Sequence, residues 1–264
     1  MSTADITSAA NPRFKLARAL LTRRGRQQQR RLLLEGVRLI EDSTSAGYPP
    51  ALVLFDPAAA GTLAPVLARA RQAGAETLAL EAPLMAQLVS TVTPQGVVAV
   101  APWPEVKVVR KSGLSLIVDG LQDPGNLGTL LRSAAAAGVD QVILLPGVTD
   151  PWAPKVMRAG MGAHYRVAIR QGRDLAQASE WLGTCQLFLA DASAPVSYAA
   201  VDWTPPSALI VGGEAHGAAA ARHWPGVRTV AIPMSAQVES LNAAVAASVI
   251  LFEALRQRRQ PRPS

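Results

Sequence analysis

The chain has 264 residues, of which 49% are hydrophobic, 17% charged and 5% aromatic. A chain this apolar and this lightly charged can bury a core, so disorder throughout is excluded. A single cysteine, Cys185, excludes a disulfide framework and a thiolate zinc site, and the three scattered histidines (His164, His216, His223) lack metal-ligand spacing. No apolar run reaches the roughly 18 residues of a membrane span. We therefore expect a soluble cytoplasmic protein that needs neither metal nor membrane.

The positive charge is concentrated at one end of the chain. The formal net charge is +7, and residues 1–40 carry all of it, because residues 41–264 hold equal numbers of acidic and basic side chains. The planar guanidinium suits phosphate and favours a polyanionic partner, although a charge run alone equally fits a solvated helix face. The candidate RNA-binding residues are Arg13, Lys15, Arg18, Arg23, Arg24, Arg26, Arg30 and Arg31.

Residues 1–104 are predicted to form a small α/β domain with a basic front. A helix follows Asn11-Pro12, and a glycine-containing break is expected at 24–26, followed by a short strand and a helix that ends near Gly47. The remaining predicted elements are a strand at 51–55, a helix at 62–73, a strand at 76–80, a helix at 83–90 and a strand at 96–101.

Residues 105–113 are predicted to be a linker, and residues 114–264 a second domain. Its predicted strands are 114–119, 141–145, 165–169, 186–191, 207–212 and 228–232, and its predicted helices are 127–137, 154–161, 174–182 and 241–258. Apolar strands that alternate with helices indicate a parallel sheet covered on both faces. Ligands of such sheets bind at the carboxyl ends of the strands, which points to the loops after residues 119, 212 and 232.

Three loops carry the polar residues expected of a site. Residues 119–132 read DGLQDPGNLGTLLR, with Asn126 at the expected helix N-cap and Arg132 beyond it; residues 210–217 read IVGGEAHG; and residues 232–246 run from IPM to SLNAAVA. Each loop alone has an ordinary interpretation: a cap, a tight strand-to-helix connection, and an apolar helix stripe that serves as core or dimer seam. The first loop lacks both the dinucleotide fingerprint and the Walker lysine.

Taken together, NLGTLLR, GGEAHG and IPM…SLNAAVA resemble, in order and spacing, the SpoU/TrmH family of S-adenosylmethionine-dependent RNA 2′-O-ribose methyltransferases of the SPOUT class. The resemblance covers residues 113–258. Residues 5–101 are more loosely similar to the family's L30e-like substrate-binding domain. The resemblance implies an α/β catalytic domain with a deep trefoil knot, a smaller N-terminal α/β domain of L30e-like fold, and a homodimer.

The resemblance also implies roles for residues at the motif positions. The implied cofactor contacts are Gly212, Gly213, Gly217, Ile232, Met234 and Leu241, and the implied catalytic residues are Asn126, Arg132, Glu214, Ser240 and Asn242. The family assigns activation of the ribose hydroxyl to the arginine that matches Arg132. A guanidinium only donates, so we expect this arginine to clamp the substrate phosphate and the developing alkoxide, with the proton passing to Glu214, a phosphate oxygen or water. Ala215 and His216 replace the glycine and glutamate usual in the second motif.

The substrate class is left open by the sequence. Large-subunit ribosomal RNA is favoured over tRNA, because family members that act on tRNA usually lack the N-terminal domain. A non-catalytic RNA-binding protein is an alternative from another class. A nucleotide-dependent small-molecule enzyme is disfavoured, since the phosphate fingerprint is missing and the arginine cluster would have no role.

Overall fold

The computed structural model describes residues 4–109, 113–213, 219–235 and 240–260, which form two compact units. The first unit contains residues up to 105 together with Asp150–Tyr165, and the second contains Val106–Thr149 and the residues from Arg166 onward. The predicted division assigned residues 150–165 to the second domain. The structure differs there, because this segment packs within the first unit.

The first unit is built on a four-stranded mixed sheet in the order β1-β4-β2-β3. Strand β4 is antiparallel to both of its neighbours, and β2 and β3 are parallel. The strands are β1 (Arg31–Glu35), β2 (Leu52–Phe55), β3 (Glu76–Ala79) and β4 (Val97–Pro102). The helices are α1 (Pro12–Ala19), α2 (Arg23–Gln29), α3 (Val37–Ser45), α4 (Ala60–Gln72), α5 (Ala82–Met85) and α7 (Pro154–Gly160).

Two local predictions for this unit are wrong. The expected break at 24–26 is part of helix α2, where a Cβ on Gly25 would lie 1.9 Å from the carbonyl oxygen of Ala19. Glycine is therefore required there for close packing and does not interrupt the helix. The helix expected at 83–90 ends at Met85 and continues as turns.

Residues 150–165 are joined to the rest of the first unit by two ion pairs. The Arg158 guanidinium donates to a Glu35 carboxylate oxygen at 2.7 Å, and Arg26 donates to Asp150 at 2.5 Å. Arg26 is only 3% exposed and also donates to the carbonyl oxygens of Leu20 and Leu21. Its charge is directed into the unit, so Arg26 is not available as the RNA contact that the sequence predicted.

The second unit is built on a six-stranded sheet whose pairings are all parallel, in the order β10-β8-β9-β5-β6-β7. The predicted parallel α/β architecture of this part of the chain is confirmed. The strands are β5 (Leu114–Asp119), β6 (Gln141–Leu144), β7 (Ala168–Gln171), β8 (Gln186–Ala190), β9 (Ser207–Gly212) and β10 (Val227–Val230). The helices are α6 (Pro124–Ala136), α8 (Leu175–Leu182), α9 (Ala219–Arg222) and α10 (Ala243–Arg259).

Both faces of the parallel sheet are covered. On one face Ile117 and Ile210 pack with Ala178 and Leu182 of α8. Helix α10 contacts both α6 and β9. Its buried side includes three alanines at 0–1% exposure (Ala244, Ala247, Ala254). These small side chains let α10 lie close to its neighbours. No helix in the described part of the chain is long and apolar enough to cross a membrane.

A buried histidine makes the stability of the first unit depend on pH. His164 is fully buried, donates through Nε2 to the carbonyl oxygen of Pro151 at 2.8 Å, and packs against the Trp152 ring. Burial outweighs the hydrogen bond and lowers the pKa of His164 from 6.5 to about 4. The folded protein therefore holds this imidazole neutral at pH values where the unfolded chain binds a proton.

We predict that the free energy of unfolding falls as the pH is lowered from 6.5 to 4, with His164 contributing at most about 1.4 kcal/mol per pH unit. His164→Gln keeps a donor but removes the titration, so its stability should fall less steeply over this range. Urea denaturation at half-unit pH steps measures both slopes, and equal slopes in the two proteins would contradict the prediction.

Candidate functional site

A cavity of about 220 Å³ lies in the second unit, at the carboxyl ends of β8, β9 and β10. Its lining residues are mostly small or apolar and expose much backbone: Ala190, Asp191, Ala192, Val211, Gly212, Gly213, Val230, Ile232, Met234, Ser240, Leu241, Ala243, Ala246 and Ile250. Five of the predicted cofactor-binding residues belong to this lining (Gly212, Gly213, Ile232, Met234, Leu241). The sixth, Gly217, lies outside the described residues.

Two glycines form the wall where β9 meets β5. The backbone N–H of Gly213 donates to the carbonyl oxygen of Asp119 at 2.9 Å. A Cβ on Gly213 would lie 2.3 Å from the carbonyl oxygen of Gly120, so a side chain there would separate the two strand ends. The glycine pair thus keeps this wall narrow and presents backbone to the cavity.

Another wall of the cavity is formed by the residues that lead into helix α10. Ser240 and Leu241 line the cavity, and Asn242 follows as the N-cap of the helix, with its side-chain oxygen accepting from the backbone N–H groups of Ala244 and Val245. Ser240, predicted as catalytic, is therefore a wall residue of the cavity. Asn242, which follows these wall residues directly, contacts a second helix.

The helix that Asn242 contacts is α6, near its start. The amide nitrogen of Asn242 donates to the side-chain oxygen of Asn126 at 3.0 Å. The sequence placed Asn126 at the N-cap, and this is wrong: Asp123 is the cap, and its carboxylate accepts from the backbone N–H of Asn126 at 2.7 Å. Since Asn126 does not cap its own helix, its side chain can bond to Asn242.

Arg132 lies on α6 beside a second contact between the two helices. The hydroxyls of Ser133 and Ser248 are hydrogen-bonded at 2.7 Å, which joins α6 to α10 one residue away from Arg132. Arg132 is exposed, and none of the described residues forms an ion pair or hydrogen bond with its guanidinium. The side chain is therefore free to meet an anionic substrate. Glu214, the other predicted charged catalytic residue, lies outside the described residues.

Asp191, which is not among the residues predicted from the sequence, follows β8 directly and lines the cavity. Its carboxylate accepts from the backbone N–H and the hydroxyl of Ser193, at 3.0 and 2.8 Å, and forms an ion pair with Arg222. Burial opposes the charged form, but these bonds outweigh it and hold the pKa of Asp191 below its usual value. The sequence signal for this residue is a carboxylate directly after an apolar strand, because parallel sheets bind ligands at the carboxyl ends of their strands.

Asp119 is a second acidic group at this edge of the sheet. It ends β5 opposite Gly212, and burial raises the pKa of its carboxyl. Within the described residues, no group of three or more His, Cys, Asp or Glu side chains is arranged to hold a metal ion.

The geometry defines a class of protein: an α/β enzyme with a strand-end cavity for a small cofactor. The SpoU rRNA Methylase family model matches residues 113–252, and the MRM3-like substrate binding domain model matches residues 11–99. The chain belongs to the SpoU rRNA methylase family.

Relatives and solved structures resemble the chain over nearly its whole length. An uncharacterized tRNA/rRNA methyltransferase of Synechocystis is 36% identical, with 97% of this chain and 94% of the relative covered. The 23S rRNA (guanosine(2553)-2′-O)-methyltransferase of Bacillus subtilis is 30% identical, with 94% and 98% covered. The crystal structure of the SpoU methyltransferase AviRb from Streptomyces viridochromogenes, in complex with the cofactor AdoMet, has a TM-score of 0.82 at 30% identity and covers 96% of this chain and 100% of that one.

The residues around the cavity fit S-adenosylmethionine. A nucleoside needs narrow apolar walls and backbone hydrogen-bonding groups, which the Gly212-Gly213 and Ser240-Leu241 walls provide. A sulfonium is positively charged and is disfavoured beside a cation. The charged side chain in the described lining is a carboxylate, that of Asp191, so the lining suits a sulfonium.

Proposed function

We propose that the protein transfers the methyl group of S-adenosylmethionine to a ribose 2′-OH of large-subunit ribosomal RNA. The observation that carries this proposal is the continuity of the Ser240-Leu241 cavity wall with the Asn242–Asn126 hydrogen bond at the start of the helix that bears Arg132. The function stated by name for the Bacillus subtilis relative, 2′-O-methylation of 23S rRNA, supports the choice of substrate.

Positioning supplies much of the rate in this proposal. The bound cofactor supplies an electrophilic methyl group on a positively charged sulfur. Asn126, Ser240 and Asn242 orient the ribose by hydrogen bonds, and holding the hydroxyl in line with the methyl group is worth several kcal/mol. Arg132 donates to the substrate phosphate and to the oxygen as it loses its proton. Glu214, a phosphate oxygen or water accepts that proton.

We predict that Arg132→Ala lowers the rate of methyl transfer by roughly 100- to 1000-fold, because a donor to the developing oxyanion is worth about 3–4 kcal/mol. The affinity for S-adenosylmethionine should change by no more than about threefold, since the guanidinium faces the substrate. Single-turnover transfer of a radiolabelled methyl group gives the rate, and calorimetry gives the affinity.

The matched control for that variant is Arg173→Ala, which removes an exposed arginine ion-paired with Asp174 at 3.5 Å on the same unit. It should transfer methyl groups at the normal rate. Retention of more than about a tenth of the activity in Arg132→Ala would rule out the clamp.

We also propose that the basic face of the first unit binds the RNA. Five of the predicted cations are exposed and have no ion pair with any described residue: Lys15, Arg18, Arg23, Arg24 and Arg31. Arg13 and Arg30 are already paired, with Glu76 at 2.8 Å and Glu105 at 3.1 Å. The unpaired five are therefore the contacts expected to dominate the salt dependence.

Replacing Arg23, Arg24 and Arg31 together with alanine should weaken RNA binding and flatten its salt dependence. Each lost phosphate contact on single-stranded RNA removes about 0.7 from the slope of log affinity against log salt, so the slope should fall by about 2. Fluorescence anisotropy with a large-subunit rRNA fragment across a KCl series measures this. Arg13→Ala is the control, because its guanidinium is already paired; an unchanged slope in the triple variant would refute the assignment.

We propose that the protein is a homodimer that associates through α10. Three of its apolar side chains form one exposed stripe, at 36–47% exposure: Val245, Val249 and Phe252. Their spacing of four and three residues puts them on one face of the helix. A second copy of the same helix would cover this stripe symmetrically.

Phe252→Glu should convert that dimer to a monomer, because it introduces a charge into an apolar contact. Val196→Glu is the control, since Val196 is also 44% exposed but lies outside α10. Sedimentation velocity distinguishes the two states. A dimeric Phe252→Glu protein would place the interface elsewhere.

Three further features belong to the proposed function. The segment after β10, at one edge of the sheet, leads to α10, which packs on the central strand β9, and this return supports a deep trefoil knot of the SPOUT type. An experimental structure that traces residues 231–243 tests the knot.

We place the reaction in the cytoplasm, where fractionation of cells should locate the protein. We take the first unit to be the family's L30e-like domain.

A further inference from the structure

One carboxylate lines the described part of the cavity. Among the described residues that line the cavity, Asp191 is the one with an ionisable side chain. That side chain is only 9% exposed, and it is held by the hydroxyl and backbone N–H of Ser193. A fixed negative charge with little water around it acts strongly on a ligand in the same cavity.

We propose that Asp191 is a specificity-determining residue that favours a positively charged atom in the cavity, so that S-adenosylmethionine binds more tightly than the thioether left after transfer. This inference rests on the proposed methyl transfer. In that reaction the carbon–sulfur bond breaks, the new carbon–oxygen bond forms, and sulfur keeps the electron pair and loses its positive charge. The attraction to Asp191 is therefore present before transfer and absent after it.

The ion-pair partner of Asp191 does not cancel this effect. Arg222 lies on α9 and its side chain is 50% exposed, so water screens much of its charge. Asp191 is the more buried member of the pair and the one that lines the cavity. Within the described lining, a bound ligand is therefore nearer to the charge of Asp191 than to the screened charge of Arg222.

Three ligands of nearly the same shape differ in their charge at the reacting centre. S-adenosylmethionine carries a sulfonium, sinefungin carries a protonated amine in place of the transferred methyl group, and S-adenosylhomocysteine carries a neutral sulfur. The rest of the three molecules is nearly the same, including the amino-acid ammonium and carboxylate. A contact from Asp191 to the ammonium or the ribose would affect all three equally, whereas a field at the sulfur position affects only the two cations.

Calorimetric titration of the full chain with each ligand tests this. Asp191→Asn keeps the side-chain oxygen that accepts from Ser193 but removes the charge, so it should weaken S-adenosylmethionine and sinefungin about five- to tenfold and S-adenosylhomocysteine less than twofold. Arg222→Gln removes the countercharge and should increase the preference for the two cations over the thioether.

Asp202→Asn is the matched control. Asp202 accepts from the backbone N–H and hydroxyl of Thr204, at 2.9 and 2.7 Å, in the same kind of turn but outside the cavity lining. It should leave all three affinities unchanged. Equal changes for the three ligands in Asp191→Asn, or no change in any, would overturn the inference and leave the methyl-transfer proposal standing. A wild-type chain that binds none of the three would instead refute the proposed function.

Discussion

The candidate site depends on how the start of α10 is held against the start of α6. Asn242 does this with one amide: its oxygen caps α10, and its nitrogen bonds to Asn126. A net gain of about 1 kcal/mol for such a bond is modest, but the bond also fixes the register of two helices. The Ser133–Ser248 bond holds the same register further along, and the buried alanines of α10 allow the close approach. Without this register, the cavity wall and the helix that carries Arg132 would have no fixed relation.

Much of the second unit follows from local sequence patterns. Apolar strands, glycines at strand ends and the amphipathic last helix are short-range signals, and they give the parallel sheet and the positions of Gly212 and Gly213. Contacts between residues distant in the sequence are not visible in such patterns. Asp150, the carboxylate that pairs with the buried Arg26, lies 124 residues from it. Asn242, the partner of the Asn126 side chain, lies 116 residues from it, whereas the cap of α6, Asp123, is a local signal.

Asp191 shows the same limit within the site. Its position after an apolar strand is visible in the sequence, but its ion pair with Arg222 joins residues from separate elements. The periodicity of the sequence indicates where a ligand binds. It does not indicate which charged side chains face that ligand. The electrostatic character of the cavity, and with it any preference between charged and neutral ligands, therefore required the three-dimensional arrangement.

The segment 150–165 has a consequence for the order in which the protein forms during synthesis. The first unit contains residues up to 105, but its ion pairs from Glu35 and Arg26 are made to residues 123 and 124 positions later. A ribosome releases the chain from its N-terminus, so these two buried charges wait until residues 150–158 have left the exit tunnel. By then the first two strands of the parallel sheet, β5 and β6, have also been made. The first unit therefore cannot be completed before synthesis of the second unit has begun. Its last segment, residues 150–165, is made between two parts of the second unit.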